Sequence, residues 1–428
     1  MQHVILLLLC ISSFALAQQP NETLLLRTGK IYDSEKQIFR QNQDILIENG
    51  VITQVGNKLR KPSGARVIDL GRCTVTPGLM DAHTHLLIHQ KQTQNGLADA
   101  SKVPADERIR QGLGFAKENL EAGFTTVRDV GNSGQYLDVR LQKLLNSGQE
   151  PGPDLHVSGP IISPPGGQFG KLFPADSFVI NQEYRVVRGV QDAEAAVMEH
   201  VAHGVNVIKV AMNTDKRVLA PDEIAVIVKT AHRNQLPVTA HATTDESARD
   251  AVLAGVDGIE HGYSLSDSTL ALMSQRGTYL VPTDMSRQNA LKMVIGIGMK
   301  GKEGEEYANG FLNSVHDRLK RAEQKGVMIV AGADFYTDIT TIARGAGAVD
   351  VLLAYFEAGM SAARVLQYAT VHAAKALRIS DRVGTIKKGM KADLAVFNGD
   401  LETDFARSLF DVKLVIKNGK VYEPKAGK

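Results

Sequence analysis

An alternation between short apolar runs and helical patterns constrains this 428-residue chain more than any other feature. Segments such as 192–203, 221–234 and 361–377 show the apolar spacing of helices. Alternation of this kind is typical of βαβ units and a parallel sheet. The strand candidates number eight, as in a TIM barrel, and are 75–80, 125–128, 155–158, 205–210, 237–240, 258–260, 279–282 and 327–331.

Both ends of the chain carry a different, β-rich pattern. Strand candidates at 23–32 and 43–52 are matched near the C-terminus by 392–397 and 412–422, and Asn-Gly turns follow in both halves. We therefore predict an α/β fold: a (β/α)8 TIM barrel with a small β-sandwich domain built from both chain ends. The predicted divisions are a signal peptide at 1–18, the sandwich at 19–74 and 384–428, and the barrel at 75–383.

The first residues have the pattern of a secretory signal peptide. Residues 1–18 contain no Asp, Glu, Lys or Arg, and the apolar run 4–16 ends in a small-x-small cleavage pattern at Ala15-Leu16-Ala17. This run is shorter than the roughly 20 residues of a membrane span, so we expect no span in the mature protein. The signal peptide would direct the chain to the periplasm or the extracellular space and would be cleaved near Ala17. Cys73 would then be the only cysteine, which excludes an internal disulfide.

Composition narrows the class of partner. With 43% hydrophobic and 22% charged residues the chain is globular. Its formal net charge is only +2, and no long block of one sign suggests a nucleic-acid surface. We expect a small-molecule substrate and no nucleic acid. A homo-oligomer is left open, because the sequence does not determine the oligomeric state.

Polar residues follow several of the candidate strands, where barrel enzymes carry their chemistry. In His83-Thr84-His85 the two histidines lie one residue apart, so on a strand both point to the same face. Imidazole and carboxylate groups are common metal ligands. We predict that one mouth of the barrel collects the residues at these strand ends, which are His83, His85, Lys209, His241, His261 and Asp334.

These motifs resemble those of the amidohydrolase superfamily, and within it the imidazolonepropionase-related branch that contains Xaa-Pro dipeptidases. The resemblance rests on the sequences at 77–85, 208–210, 240–242, 259–262 and 332–334, and on the return to the β-domain at 384–394. It implies two divalent metal ions, with zinc expected. His83, His85 and Asp334 would hold one ion, and His241 and His261 the other. Lys209 would bridge them as a carbamate formed with carbon dioxide.

The implied chemistry is hydrolysis of a carbon–nitrogen bond. Water between two zinc ions ionises near neutral pH, so a bridging hydroxide would be the nucleophile. Asp334 would accept its proton and pass it to the leaving nitrogen. We therefore predict a binuclear metal-dependent amidohydrolase that cleaves a small peptide or an N-acyl amino acid, as a dipeptidase or carboxypeptidase does. Two alternatives stay open: hydrolysis of a cyclic amide such as a lactam or imidazolone, and a metal-free, non-catalytic binding protein.

Two positions depart from the pattern of the dipeptidase branch. Gln168 stands where a Gly-Gly-His arrangement is usual, and Thr244 stands where a tyrosine usually contacts the substrate carboxylate. Deaminases of the superfamily carry a glutamate at the position of Thr244, so deamination is disfavoured. Arg185 or Arg188 could instead pair with a substrate carboxylate, because a guanidinium binds that group bidentately. We predict that the loops 159–190 and 288–310 border the active site.

Overall fold

The computed structural model describes residues 22–91, 96–168, 172, 174–214, 217–336 and 343–424. The predicted signal peptide lies outside these residues. The strands of the described residues, in chain order, are β1 (Leu24–Asp33), β2 (Ile38–Gln41), β3 (Asp44–Glu48), β4 (Val51–Gly56), β5 (Arg66–Pro77), β6 (Leu79–Thr84), β7 (Phe124–Asp129), β8 (Asp154–Val157), β9 (Ile161–Ser163), β10 (Tyr184–Val186), β11 (Ile208–Ala211), β12 (Asn213–Thr214), β13 (Arg217–Val218), β14 (Val238–Ala242), β15 (Gly258–His261), β16 (Tyr279–Val281), β17 (Leu394–Asn398), β18 (Val412–Lys417) and β19 (Lys420–Tyr422).

Helices separate most of the strands in the middle of the chain. They are α1 (Gly96–Ser101), α2 (Ala105–Glu121), α3 (Leu137–Asn146), α4 (Phe178–Glu183), α5 (Val190–His203), α6 (Pro221–Arg233), α7 (Asp245–Ala254), α8 (Asp267–Arg276), α9 (Arg287–Gly296), α10 (Gly301–Gln324), α11 (Arg344–Glu357), α12 (Ala362–Gln367), α13 (Ala373–Ala376) and α14 (Phe405–Ser408). A 3₁₀ turn at Pro174–Asp176 and a π-helical turn at Tyr368–His372 complete the described elements. Across the described residues, no helix combines the length and apolar character needed to cross a bilayer.

One eight-stranded sheet unites the two ends of the chain. Its order is β19-β18-β17-β5-β1-β3-β4, with β2 paired to β1. The C-terminal β17 lies antiparallel to β5, with Val396 opposite Val75, so the two ends share one hydrophobic core. Leu24, Leu26 and Ile416 are fully buried in that core. The prediction that both ends build one β-domain is confirmed.

The middle of the chain forms the parallel α/β part. Its strands make a three-stranded sheet, β6-β7-β8, and a six-stranded sheet, β10-β9-β11-β14-β15-β16. The strand predicted at 327–331 is not regular: it is represented by an isolated bridge from Ile329 to Leu280 and by a 2.9 Å hydrogen bond from Ala82 N to Ala331 O. Among the described strands the hydrogen-bonded ladder is therefore not continuous around a closed ring, and the closed (β/α)8 barrel stays a prediction. The α/β class is confirmed.

Two further predictions need correction, one of a strand and one of a loop. The candidate at 75–80 is divided between β5 and β6 at Gly78, where an added Cβ would lie only 2.1 Å from the side chain of Thr125. No side chain fits there, and it is at this glycine that the chain passes from one sheet to the other. The stretch 159–190, predicted as a loop, contains β9 and β10, which pair with each other and through β9 with β11.

Charged side chains connect the β-domain to the start of β8. Lys417 Nζ lies 2.8 Å from Asp154 and 3.1 Å from Asp393. Lys391 Nζ lies 2.6 Å from Asp154 and 3.2 Å from Asp393. We call these four residues the lower ion cluster. Two cations and two anions neutralise one another here, as a buried ionic group requires.

Candidate metal centre and active site

One cavity of about 200 Å³ collects the residues that the sequence singles out at strand ends. His83 and His85 come at the end of β6, and Asp334 follows the bridge residue Ile329 at the corresponding place. The remaining strands, β11, β14 and β15, contribute one polar residue each. The residues of this set that line the cavity are His83, His85, Lys209, His241, His261 and Asp334.

Asp334 lies at the centre of the histidines. Its Oδ1 is 3.4 Å from His83 Nε2 and 3.1 Å from His85 Nε2, and its Oδ2 is 3.7 Å from His261 Nδ1. Ligand atoms of His83, His261 and Asp334 all lie within 4.8 Å of one another, which would allow one metal ion to contact them together. The rings of His241 and His261 have centroids 4.7 Å apart.

Hydrogen bonds on the far side of two rings fix which nitrogen faces the cavity. His85 Nδ1 donates to the carbonyl oxygen of Gly131 at 2.7 Å. His261 Nδ1 is hydrogen-bonded to Thr283 Oγ1 at 2.8 Å. When Nδ1 donates in this way, Nε2 keeps its lone pair for a ligand in the cavity. The His85 ring therefore has the orientation that a metal-binding histidine requires, and the His261 ring has it in the tautomer in which Nδ1 donates to Thr283.

His83 is held by a buried carboxylate below the cavity. Its Nδ1 lies 2.6 Å from Glu260 Oε2. The other Glu260 oxygen accepts from Arg128 Nη2 at 2.7 Å and from the hydroxyl of Thr239. Arg128 also donates to the Tyr279 hydroxyl at 2.9 Å. Glu260 is completely buried, so its charge depends on these donors, and together they fix the orientation of the His83 ring.

Lys209 has no such partner. Its side chain is 1% exposed, and within the described residues no hydrogen-bond acceptor reaches its Nζ. Burial, which disfavours the charged ammonium, lowers the pKa of Lys209 to about 8. A buried lysine without an acceptor is unusual, because the desolvated ammonium group is costly. The amine of Lys209 therefore lacks the environment of a structural ion pair.

The histidine pKa values diverge within this one cluster. Burial, followed by the nearby Lys209, lowers the pKa of His241 to about 3. Burial and Lys209 also act to lower the pKa of His83, but the carboxylates of Asp334 and Glu260 outweigh them and raise it. His241 is thus neutral at physiological pH, which is the state in which an imidazole binds a metal ion.

Several residues at the cavity have left-handed backbone conformations. The φ angles are 67° at His261, 55° at Thr283, 50° at Asp334 and 53° at Asn132. Such values are uncommon outside glycine, and at a β-branched threonine they are a clear outlier. At His261 the turn ends β15 and lets two consecutive residues, Glu260 and His261, both serve the cavity. The backbone is therefore strained where the functional side chains are placed.

A close approach between two strands also positions Asp334. Gly332 lies so near β6 that an added Cβ would stand 2.7 Å from the Cβ of His83. Asp81 joins the same two segments, because one of its oxygens accepts from the backbone N–H groups of His83 and Ala333, each at 3.0 Å. Burial raises the pKa of Asp81 to about 7. These contacts hold Asp334 beside the histidine pair.

The donors in this cavity fit the divalent ions that the resemblance implies. Four imidazoles and one carboxylate are the nitrogen and oxygen ligands that zinc and related metals prefer. The buried Nζ of Lys209 has no hydrogen-bond partner among the described residues. A carbamate on that nitrogen would supply two ligand oxygens at the same place. His83, His85, His241, His261, Lys209 and Asp334 would hold the ions. The assignment of individual ligands remains a prediction.

The residues predicted to contact substrate are separated in the structure. Gln168 lines the cavity and accepts a 3.0 Å hydrogen bond from the Tyr184 hydroxyl. Thr244 instead caps α7, where its hydroxyl accepts from Ser247 N at 3.2 Å. Neither Thr244 nor the two arginines are among the described residues that line the cavity.

Both arginines have other surroundings. Arg185 is paired with Asp192 at 2.8 Å and with Glu199 at 2.9 Å, so its guanidinium is already neutralised by carboxylates. The side chain of Arg188 is exposed. The structure therefore gives no support to either residue as the partner of a substrate carboxylate.

A second cavity, which we call the side pocket, opens beside the first. Its volume is about 140 Å³, and it shares Tyr263, Asp334 and Tyr336 with the metal-ligand cavity. The residues that belong to the side pocket alone include Asp284, Met285, Asn289, Met293, Phe335 and Asp350. They come from the end of β16, from α9 and from α11, together with the segment after Asp334. A molecule bound at Asp334 can therefore extend into a second, differently lined space.

Some residues at the centre were not assigned a role from the sequence. Glu260 lies within the motif at 259–262, and its position before a predicted ligand histidine is the signal that could have identified it. Arg128 ends an apolar strand candidate, which also marks a buried charge that needs a partner. Asn132, Tyr263 and Tyr336 line the cavity but have no pattern in the sequence that distinguishes them.

Comparison with known proteins identifies the family. A sequence profile described as "Amidohydrolase family" matches residues 74–422, which is most of the chain. The chain belongs to the amidohydrolase family. A solved Xaa-Pro dipeptidase with methionine bound in its active site superposes on this amidohydrolase with a TM-score of 0.80 and 28% identity, covering 94% of this chain and all of the other.

Two sequence relatives extend the comparison. Ochratoxinase from Aspergillus niger is 24% identical over 389 residues, which cover 83% of this amidohydrolase and 77% of the fungal protein. An uncharacterised protein of Mycobacterium tuberculosis is 29% identical over 275 residues. That alignment spans 61% of this chain and 64% of the mycobacterial protein. Family membership and these similarities support a hydrolase.

Proposed function

We propose that this amidohydrolase is metal-dependent and hydrolyses the amide bond of a small peptide or an N-acyl amino acid. The observation that carries the proposal is the buried, unpartnered Lys209 Nζ beside four histidines and Asp334. A structural cluster would neutralise that amine, whereas a metal centre makes use of it. Bound divalent ions would supply Lewis acidity toward the substrate carbonyl and would make water reactive at neutral pH.

The residues of the chain have separable tasks in this reaction. The imidazoles of His83, His85 and His261 hold the pKa of Asp334 well below its usual range, against the effect of burial, so this carboxylate is ionised at neutral pH. Asp334 can therefore accept the proton of the attacking water and donate it to the nitrogen of the leaving amine. Glu260 keeps the His83 ring in place while this occurs.

The named activities of the similar proteins support an amide substrate. An Xaa-Pro dipeptidase is by its name a peptide hydrolase, and it covers 94% of this chain. The side pocket next to Asp334 gives space for one of the two parts that flank the scissile bond. We therefore favour a linear amide with side chains on both parts.

A substrate panel tests the proposal. Dipeptides, N-acyl amino acids and lactams are incubated with the zinc-loaded protein, and the released amine is measured. We expect cleavage of linear amides that is lost when the metal is removed by a chelator and restored when it is added back. Cleavage of lactams alone would contradict the linear-amide proposal. Absence of any cleavage, with no bound metal, would favour a binding protein.

A further inference from the structure

The charges of the side pocket are of one sign. The charged residues lining it, within the described part of the chain, are Asp284, Asp334 and Asp350. No lysine, arginine or histidine of the described residues lines the pocket. Asp334 is also a predicted metal ligand, so the carboxylates that belong to the side pocket alone are Asp284 and Asp350, and their negative potential attracts a cation.

Only one of the two acids that belong to the side pocket has a cationic partner. Asp284 is paired with the buried Arg318, whose Nη2 lies 2.5 Å from Asp284 Oδ1. Asp350 is 7% exposed and accepts a 2.9 Å hydrogen bond from Ser286 N. Lys292 influences Asp350 electrostatically, but no ion pair joins Asp350 to a lysine or arginine of the described residues. Burial raises the pKa of the Asp350 carboxyl, and the groups hydrogen-bonded to it, from Ser286 and Asn289, are neutral, so a bound cation would supply the ion pair that Asp350 lacks.

A second observation concerns an unpartnered oxygen on a residue that lines the pocket. Asp284 Oδ2 is buried and has no hydrogen-bond partner among the described residues, although the residue lines the pocket. A buried carboxylate oxygen without a donor costs free energy. A bound group with N–H donors would satisfy this oxygen, whereas an apolar group would leave it unsatisfied.

The walls of the pocket differ from these acids. Met285, Met293 and Phe335 provide apolar surface, and Tyr263 and Tyr336 stand where the pocket meets the metal-ligand cavity. A chain of methylene groups would pack against methionine and phenylalanine side chains. A charged tip on such a chain would then reach the carboxylates. Lysine, ornithine and arginine side chains have this combination of an apolar stem and a cationic end.

We propose that the side pocket is a specificity subsite for a substrate side chain that has an apolar stem and a positively charged tip. The inference rests on the proposed amide hydrolysis, because it identifies one part of the substrate that flanks the scissile bond. Asp350 and Asp284 receive the cation, and Met285, Met293 and Phe335 contact the stem. A neutral side chain of the same length leaves the carboxylates desolvated and unpaired, which weakens its binding.

Matched pairs of dipeptides test the subsite. Norleucine has nearly the length of lysine without its charge, so kcat/KM is compared for Ala-Lys against Ala-norleucine and for Lys-Ala against norleucine-Ala. We expect a preference for lysine of at least about tenfold at one of the two positions. Asp350→Asn, which retains an oxygen that can accept from Ser286 N, should reduce that preference by about tenfold.

A second variant adds charge instead of removing it. Met293 lines the pocket and is 43% exposed, so Met293→Lys should fold and should repel a cationic side chain. Met198 on α5 is 44% exposed and does not line the pocket, so Met198→Lys is the matched control. We expect Met293→Lys to lower the lysine preference by about tenfold and Met198→Lys to leave it unchanged.

The outcomes separate this inference from the proposed function. Equal cleavage of the lysine and norleucine peptides at both positions would refute the cationic subsite while supporting amide hydrolysis. If no peptide is cleaved, the proposed function fails, and calorimetric binding of the same intact peptides decides the subsite. Tighter binding of a lysine peptide that Asp350→Asn abolishes would still support the inference, and equal binding would refute it.

Discussion

The amidohydrolase contains two clusters of ionisable groups, one half-buried and one buried, with opposite character. In the lower ion cluster, Lys391 and Lys417 each contact both Asp154 and Asp393, so every charge has a partner. In the metal-ligand cavity, Lys209 Nζ has no hydrogen-bond partner among the described residues. One cluster is complete as folded. The other leaves Lys209 without a partner, which the proposed metal ions would make use of.

The pKa shifts follow this difference at some of the groups. In the lower ion cluster the two lysines lower the pKa of Asp154 against the effect of burial, and Asp393 and Asp154 raise the pKa of Lys391 to about 12. The pKa of Lys417 in the same cluster is lowered by burial. In the cavity, burial lowers the pKa values of Lys209 and His241 to about 8 and about 3, which disfavours their charged forms. The two clusters therefore differ most clearly in whether their lysines have carboxylate partners.

The largest expected effect is the loss of turnover on substitution of Asp334 in the metal-ligand cavity. Asp334→Asn keeps the size of the side chain but removes the carboxylate that transfers the proton. We expect kcat to fall by about 10²–10⁴-fold, the usual contribution of a catalytic acid or base. Steady-state kinetics and metal analysis check this, with the exposed Asp381→Asn as control. Wild-type turnover in Asp334→Asn would exclude the proposed proton transfer.

The lower ion cluster should respond in stability and not in chemistry. Lys417→Met leaves Asp154 and Asp393 with one cation between them, so the free energy of unfolding should fall by about 3–5 kcal/mol. Lys413, exposed on the same strand, provides the control Lys413→Met, expected to change it by less than about 0.5 kcal/mol. Denaturant unfolding measures both. A wild-type unfolding free energy in Lys417→Met would mean that the paired cluster is not structural.

Glu260, whose carboxylate contacts His83 Nδ1, should affect the affinity for the metal ions. Glu260→Gln can still accept from His83 Nδ1 but no longer neutralises Arg128, so the orientation of the His83 ring is weakened. We expect metal affinity to fall by about 10–100-fold. Competition with a chromogenic chelator measures this, and the exposed Glu194→Gln serves as control. Equal affinities for both variants would remove Glu260 from the account of metal binding.

The smallest effect concerns His156, which interacts electrostatically with Asp154 of the lower ion cluster and with Arg128. Burial lowers the pKa of His156 to about 4. Because the unfolded chain binds the proton more readily, His156 stabilises the fold above about pH 6.5, and this contribution is lost as the pH falls toward 4. The slope is at most about 1.4 kcal/mol per pH unit. Unfolding of His156→Gln across this range should show a shallower pH dependence, and an identical slope would contradict the prediction.

Much of the fold and of the site could be predicted because the responsible signals are local. The alternation of strands and helices indicated the α/β class, and the residues at strand ends identified the groups that meet in the cavity. The division of 75–80 at Gly78 could not be predicted, because it depends on contact with Thr125, distant along the chain. Glu260 and Arg128 were missed for a related reason: their pairing joins different strands, and no spacing in the sequence encodes it.

The substrate side of the site was the least predictable. Arg185 was a reasonable partner for a carboxylate, but its neutralisation by Asp192 and Glu199 depends on how β10 packs near α5. The side pocket likewise combines residues from α9, α11 and two segments that follow strands. Such cavities arise from tertiary packing, so a sequence pattern alone cannot reveal their shape or charge.

Metal content gives the most direct test of the contrast between the two clusters. The purified protein is loaded with zinc, dialysed and analysed by mass spectrometry for bound metal, in parallel with Lys209→Met and Lys417→Met. The account predicts close to two ions per chain in the wild type and in folded Lys417→Met, and at most one in Lys209→Met. Wild-type protein that is folded and retains no zinc would contradict it.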